Sequence, residues 1–194
     1  MGWSRRHGKV ELTHVPVGDA SDILPEHRGT AVGDLLAYHN LGAPHRHHTK
    51  ADLLIGMCMD HRLQLRIPSD FAFVLRCAGA NLGMLEFDVS FAIAVGGVRS
   101  VCLIGHDACR MVDVASKREA FVSGLVENAG WNRQRTEEYF DEHSSRYGFG
   151  DVADFVWLEA LRIRRAYAGI CVAPLFYSLD DRRLCQLDDT RPTP

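Results

Sequence analysis

Two short runs hold residue types that bind metals: Cys58-Met59-Asp60-His61-Arg62 and, further along the chain, His106-Asp107-Ala108-Cys109. Cys58, His106 and Cys109 offer two thiolates and one imidazole, a ligand set for tetrahedral Zn2+ with one position left over. Zinc with three protein ligands and an open place is a hydrolytic or hydration centre; zinc with four is usually structural. Asp60 lies two residues after the first thiolate and two before Arg62. Either its carboxylate fills the fourth place or water does, and the spacing leaves both open. An ionised Asp60 can accept the proton of a zinc-bound hydroxide and so aim its lone pair. Arg62 can hold that carboxylate by a paired, charge-assisted hydrogen bond. The plainer readings are a structural Asp60–Arg62 ion pair and a four-ligand zinc clamp without chemistry. Hydration also releases a proton, and His45, His47, His48, His61 and Asp107 are residues able to carry it. The run Pro44-His45-Arg46-His47-His48 reads also as a solvated loop.

Both runs need strands to bring them together. Residues 52–57 form a continuous apolar run, the pattern of a strand covered on both faces, and deliver Cys58 at its carboxyl end. Residues 71–75 form a second such run, leading into Arg76-Cys77-Ala78-Gly79-Ala80-Asn81. A helix is expected from about Met84 to Val95, closed by Gly96-Gly97. A third buried strand, 98–104, ends at Gly105 and delivers His106, with a helix expected to start near Cys109. This alternation predicts an α/β fold, a mostly parallel central sheet flanked by helices. In such sheets ligands gather beyond the carboxyl ends of the strands, which is where both runs fall.

Elsewhere, Thr30 is placed to cap a helix through Leu41, ended by Gly42 and Pro44. Residues 118–165 are helical and strongly charged, with Trp131, Tyr139, Phe140, Phe155, Trp157, Leu158 and Leu161 spaced like buried stripes. Gly148-Phe149-Gly150 breaks that stretch. The chain ends in an antiparallel edge hairpin, residues 170–179 and 184–187 about a turn at 180–183, and Pro174 argues for an edge position of its first strand. Residues 1–29 read as an extended arm that cannot pack on itself and is free to embrace a second subunit. Residues 188–194 read as a loose tail, and residues 1–194 together as one domain.

The chain has 194 residues, 46% of them hydrophobic, which is enough for an ordinary core. A net charge of −3 gives no reason to expect nucleic acid or an anionic membrane as partner. No apolar run approaches the ~20 residues of a membrane span, and Met1-Gly2-Trp3-Ser4-Arg5-Arg6 lacks the apolar stretch of a signal peptide. A cytoplasmic location is expected, where six cysteines serve as metal ligands or core residues rather than disulfides. Cys102 and Cys171, each inside an apolar run, fit small core residues.

The sequence resembles the β-class carbonic anhydrases. Cys58, Asp60 and Arg62 stand as that family's Cys-x-Asp-x-Arg motif, and His106 and Cys109 as its His-x-x-Cys motif. Arg76-Cys77-Ala78-Gly79-Ala80-Asn81 is close to its Arg-Asn-Ala-Gly-Asn segment, and the Ser90–Val98 helix and the final hairpin also resemble it. The resemblance implies a β-carbonic anhydrase-like fold and zinc-dependent, reversible hydration of carbon dioxide to bicarbonate. It also implies an Asp60 that exchanges between Arg62 and the metal, and a homodimer or dimer of dimers. Relatives on that fold resemble hydrolases of carbonyl sulfide and carbon disulfide, which keeps those substrates as an alternative; a non-catalytic zinc- or bicarbonate-binding protein is another. Three positions depart from the family: Arg110 stands where glycine is usual, Cys77 replaces asparagine and Ser90 a glutamate. Residues 118–165 match no segment of it.

Overall fold

The computed structural model describes residues 12–188. Their centre is a six-stranded sheet in the order β1-β6-β5-β4-β2-β3. The strands are β1 (Thr13–Pro16), β2 (Leu53–Cys58), β3 (Ala72–Cys77), β4 (Ser100–His106), β5 (Cys171–Tyr177) and β6 (Leu184–Asp188). β3, β2, β4 and β5 run parallel, while β6 pairs antiparallel with both β5 and β1. Every residue of β2 and β4 is buried. That explains their unbroken apolar character, because helices cover both sheet faces.

Period-two alternation sorts the strand side chains into two cores. On one face Leu53, Ile55 and Met57 of β2 and Cys102 and Ile104 of β4 pack with Val32, Leu35 and Leu36 of helix α1 (Ala31–Leu41). On the other, Leu54, Val101 and Leu103 pack with Val89 of α2 (Glu86–Ala94) and Val156, Ala160 and Ile163 of α5 (Val152–Ala166). Thr30 caps α1 by accepting from the Val32 and Gly33 amides, and Gly42 ends it in the left-handed conformation. Helices α3 (Arg118–Ala129) and α4 (Arg133–His143) form a hairpin packed mainly on itself. Among the aromatic and leucine residues expected in buried stripes, Phe140 and Trp157 are buried, whereas Tyr139 and Leu158 are exposed. Tyr139 lies on the α3–α4 hairpin, which has little partner surface, and Leu158 on the side of α5 away from the sheet.

Three further expectations need correction. Of the arm at 1–29, residues 12–29 fold onto their own chain: β1 extends the sheet beyond β6, Val17, Ile23 and His27 are buried, and the Leu24 amide donates to Gln186 Oε1 at 2.9 Å. Residues 1–11 of that arm, and the tail from 189 onward, lie outside the described residues. Pro174 sits in an interior strand, not an edge one. The β5–β6 pairing begins at Leu175, so a residue without an N–H precedes that ladder instead of interrupting it. Finally, no helix starts at Cys109. The chain turns there and regains helical structure only at Val114–Lys117 and α3.

Candidate metal centre

The parallel register places the two metal-binding runs side by side. β2 and β4 are neighbours, with Met57 opposite Ile104, so Cys58 emerges beside the end of β4 where His106 stands. Gly105, just before it, is where α5 closes on the sheet: a Cβ there would lie 2.7 Å from Val152 and 2.9 Å from Val156. The turn after His106 brings Cys109 back, with Ala108 at φ 48°, a left-handed conformation that non-glycine residues seldom adopt. One donor atom each of Cys58, His106 and Cys109 lies within 4.8 Å of the others, and all three residues are buried.

The cluster fits zinc. The two sulfurs are 4.0 Å apart, close to the roughly 3.8 Å that two Zn–S bonds of about 2.3 Å span at a tetrahedral angle. His106 Nδ1 is 2.7 Å from the Asp107 carbonyl oxygen, which can only accept, so Nδ1 carries the proton and Nε2 presents a lone pair. Nε2 is buried and has no hydrogen-bond partner, singular among buried side-chain nitrogens and oxygens of the described residues. A buried acceptor of that kind is costly unless something fills it, and a cation between the two sulfurs would.

The electrostatics agree. A hydrogen bond from the Cys109 thiol holds Cys58 well below the ordinary thiol range against the effect of burial, aided by His106 and the Asp60 and Gly79 amides. The same bond, with burial, raises Cys109, whose sulfur accepts from the Met111 amide. The pair thus releases one proton readily and a second when a cation takes its place. For His106, burial opposes protonation, but the Cys58 sulfur, the Asp107 carbonyl and nearby negative charge outweigh it and raise the imidazole. The neighbouring Cys77 thiol is pushed up to about 11 by burial and by the charge of Cys58.

Asp60 stands beside this cluster, not in it. Arg62 donates from Nε to Oδ1 at 2.9 Å, from an Nη to Oδ2 at 2.7 Å and from its backbone N to Oδ1 at 3.0 Å. The side-chain bonds of Arg62 hold Asp60 well below the usual carboxylate range. Arg62 also donates to the Ala108 carbonyl at 3.3 Å, joining the two metal-binding loops. His61 is open to solvent, its Nδ1 3.9 Å from Asp60. Arg110 is exposed.

Other proton-carrier candidates lie elsewhere. His45, His47 and His48 precede β2, whose length puts them about 17 Å along the strand from Cys58. His48 bonds there to Asp52 and Tyr38, and His47 pairs with Asp70. Asp107 accepts from the Leu179 amide at 3.0 Å and so ties the hairpin to the site. Arg76, which the sequence pattern gave no task, donates to the carbonyls of Cys58, Asp60 and Leu63 and fixes the first metal-binding loop. An arginine ending the strand next to β2 was the available signal.

This sheet order and site location define a β-carbonic anhydrase-like fold. The chain is similar to the β-carbonic anhydrase isoform I of Trichomonas vaginalis, with a TM-score of 0.61 and 18% identity over 75% of this chain and 88% of that one. It is similar to the carbonic anhydrase of Glaciozyma antarctica (0.58, 18%, 86% and 97%) and to a carbon disulfide hydrolase (0.53, 15%, 70% and 77%). No protein-family model and no curated protein matches the sequence.

Proposed function

We propose that this protein is a zinc-dependent carbonate dehydratase, interconverting carbon dioxide and bicarbonate. The observation that carries the reading is the unpartnered Nε2 of His106, buried with two sulfurs in a three-donor cluster, while Arg62 holds the Asp60 carboxylate outside it. Cys58, His106 and Cys109 would hold the zinc, which would supply a Lewis acid that makes bound water more acidic, less strongly with two thiolate ligands than with three imidazoles, so that activity should rise toward alkaline pH. Asp60 accepts a hydrogen bond from the attacking water and orients it. Arg62 keeps Asp60 ionised and turned away from the sulfurs. His61, exposed beside Asp60, passes the released proton to buffer.

The oligomer this reading entails is a homodimer, or a dimer of dimers. It is supported by β3, an edge strand with half-exposed Phe73 and Val74, beside α2, whose Phe91 is exposed and whose Phe87 is 79% exposed. Six cysteines without a disulfide suit the cytoplasm. No helix among the described residues is long and apolar enough to cross a membrane.

Stopped-flow carbon dioxide hydration by the zinc-loaded protein, from pH 6.5 to 9, tests the assignment. Rapid hydration at one zinc per chain is expected. Turnover of carbonyl sulfide or carbon disulfide without carbon dioxide hydration would reassign the electrophile. Bound zinc with no turnover of any of the three would leave a non-catalytic zinc protein.

A further inference from the structure

The loop between α4 and α5 reaches back toward the metal centre, chiefly through Phe149. The Phe149 backbone pairs with the loop that follows Cys109: it forms a parallel bridge with Val112 and accepts from the Asp113 amide at 3.0 Å. Its ring lies on the turn that follows β3. A Cβ on Gly79 would stand 2.4 Å from the Phe149 ring and 3.4 Å from the Met111 side chain. Gly79 has φ 65°, so only glycine suits this position in both backbone shape and space. The ring also stacks on Phe155, centroids 4.4 Å apart. The anchoring is reinforced by Asn81 Nδ2, which donates to the Arg146 carbonyl at 2.9 Å.

What Phe149 touches explains its importance. Gly79 lies two residues beyond Cys77, whose carbonyl accepts from the Met59 amide at 3.1 Å next to Cys58, and the Val112 amide donates to the Cys109 carbonyl at 3.2 Å. One residue therefore packs by its ring on the turn after β3 and pairs by its backbone with the loop after Cys109. The groups behind metal ligands orient them, and a residue that fixes two ligand-bearing segments relative to one another fixes the site. We propose that Phe149 is a positioning residue for the two thiol ligands: it clamps the turn after β3, which is tied to the backbone beside Cys58, to the loop that follows Cys109 and so holds the two sulfurs in register. The clamp comes from residues 118–165, the stretch for which the sequence resemblance has no equivalent. This inference rests on the zinc reading above but not on the reaction assigned to it.

Zinc affinity of the full-length chain, by competition with a chromophoric chelator, and the thiolate-to-metal absorption of the cobalt-loaded protein test it. Phe149→Ala should weaken zinc binding on the order of tenfold, within the range for supporting groups around metal ligands, and shift the cobalt band. Phe121→Ala, in the α3–α4 hairpin, should change neither. A folded Phe149→Ala protein with zinc affinity within about twofold of the parent and an unchanged cobalt spectrum would overturn the proposal. If Phe149→Ala does not fold, Phe149→Leu decides: weaker zinc and a shifted band support the clamp, and no change in either refutes it. A parent chain that binds zinc but hydrates nothing removes the proposed reaction and leaves the clamp intact. A parent that binds no zinc removes both.

Discussion

The two ends of β2 hold similar side chains and differ in what they leave unsatisfied. At the amino end, His48 is buried with Nδ1 2.7 Å from Asp52, Nε2 3.2 Å from the Tyr38 hydroxyl and its backbone N bonded to Asp70. At the carboxyl end, His106 is equally buried, and its Nε2, close to the Cys58 and Cys109 sulfurs, has no hydrogen-bond partner. Both ends combine histidine with aspartate, yet only one gathers three metal-binding donors. Residue type is therefore a poor guide to a site. A closed hydrogen-bond network stabilises the fold, whereas an open lone pair between two sulfurs asks for a ligand.

The comparison breaks most sharply under ligand substitution. Cys58→Ala or His106→Ala should abolish stoichiometric zinc and hydration together, whereas His48→Ala should retain one zinc per chain; elemental analysis of the purified proteins decides. If His48→Ala also lost its metal, the two ends would not be independent. Next in size is Asp60→Asn, which leaves zinc in place and should lower kcat/KM by about a hundredfold, measured by stopped flow. An unchanged rate would return the Asp60–Arg62 pair to a structural role.

His48→Ala itself should destabilise the fold by about 1–3 kcal/mol, because it strips partners from Tyr38 and Asp52. Urea unfolding of the zinc-loaded protein reads this, and a parental midpoint would show the network to be dispensable.

The smallest effect is a pH dependence at His39. Burial lowers its pKa; Nδ1 accepts from the Arg66 amide at 3.1 Å, while Nε2 donates to the Arg182 carbonyl at 2.9 Å. Neutral imidazole is thus the folded form, and the unfolded chain binds the proton more readily. The His39 contribution is complete above the unfolded value of about 6.5 and is lost as pH falls through the lower folded value. His39→Gln should flatten the acid limb of unfolding free energy against pH. An unaltered limb would assign it to other groups.

Three segments show where local pattern failed. Pro174 is tolerated inside the sheet because the β5–β6 ladder starts one residue later, a fact of pairing that no local pattern encodes. Tyr139 and Leu158 have helical spacing suited to a core, but exposure depends on which surfaces come to meet them. Residues 12–29 look polar and loose, yet Gln186, far along the chain, binds both the Leu24 amide and His27.

The sequence by itself determined the two buried strands, from unbroken apolar runs, and the donors each strand delivers, because a parallel strand must end at the sheet's ligand-binding edge. It determined the α1 boundaries as well, since a side-chain cap and a left-handed glycine act over a few residues. Only the tertiary structure decided that Asp60 faces Arg62, that His48 is satisfied while His106 is not, and that Phe149 joins the turn after β3 to the loop after Cys109. Those are contacts between distant segments, and a hydrogen bond or a ring on a glycine exists only once packing has brought both partners within reach.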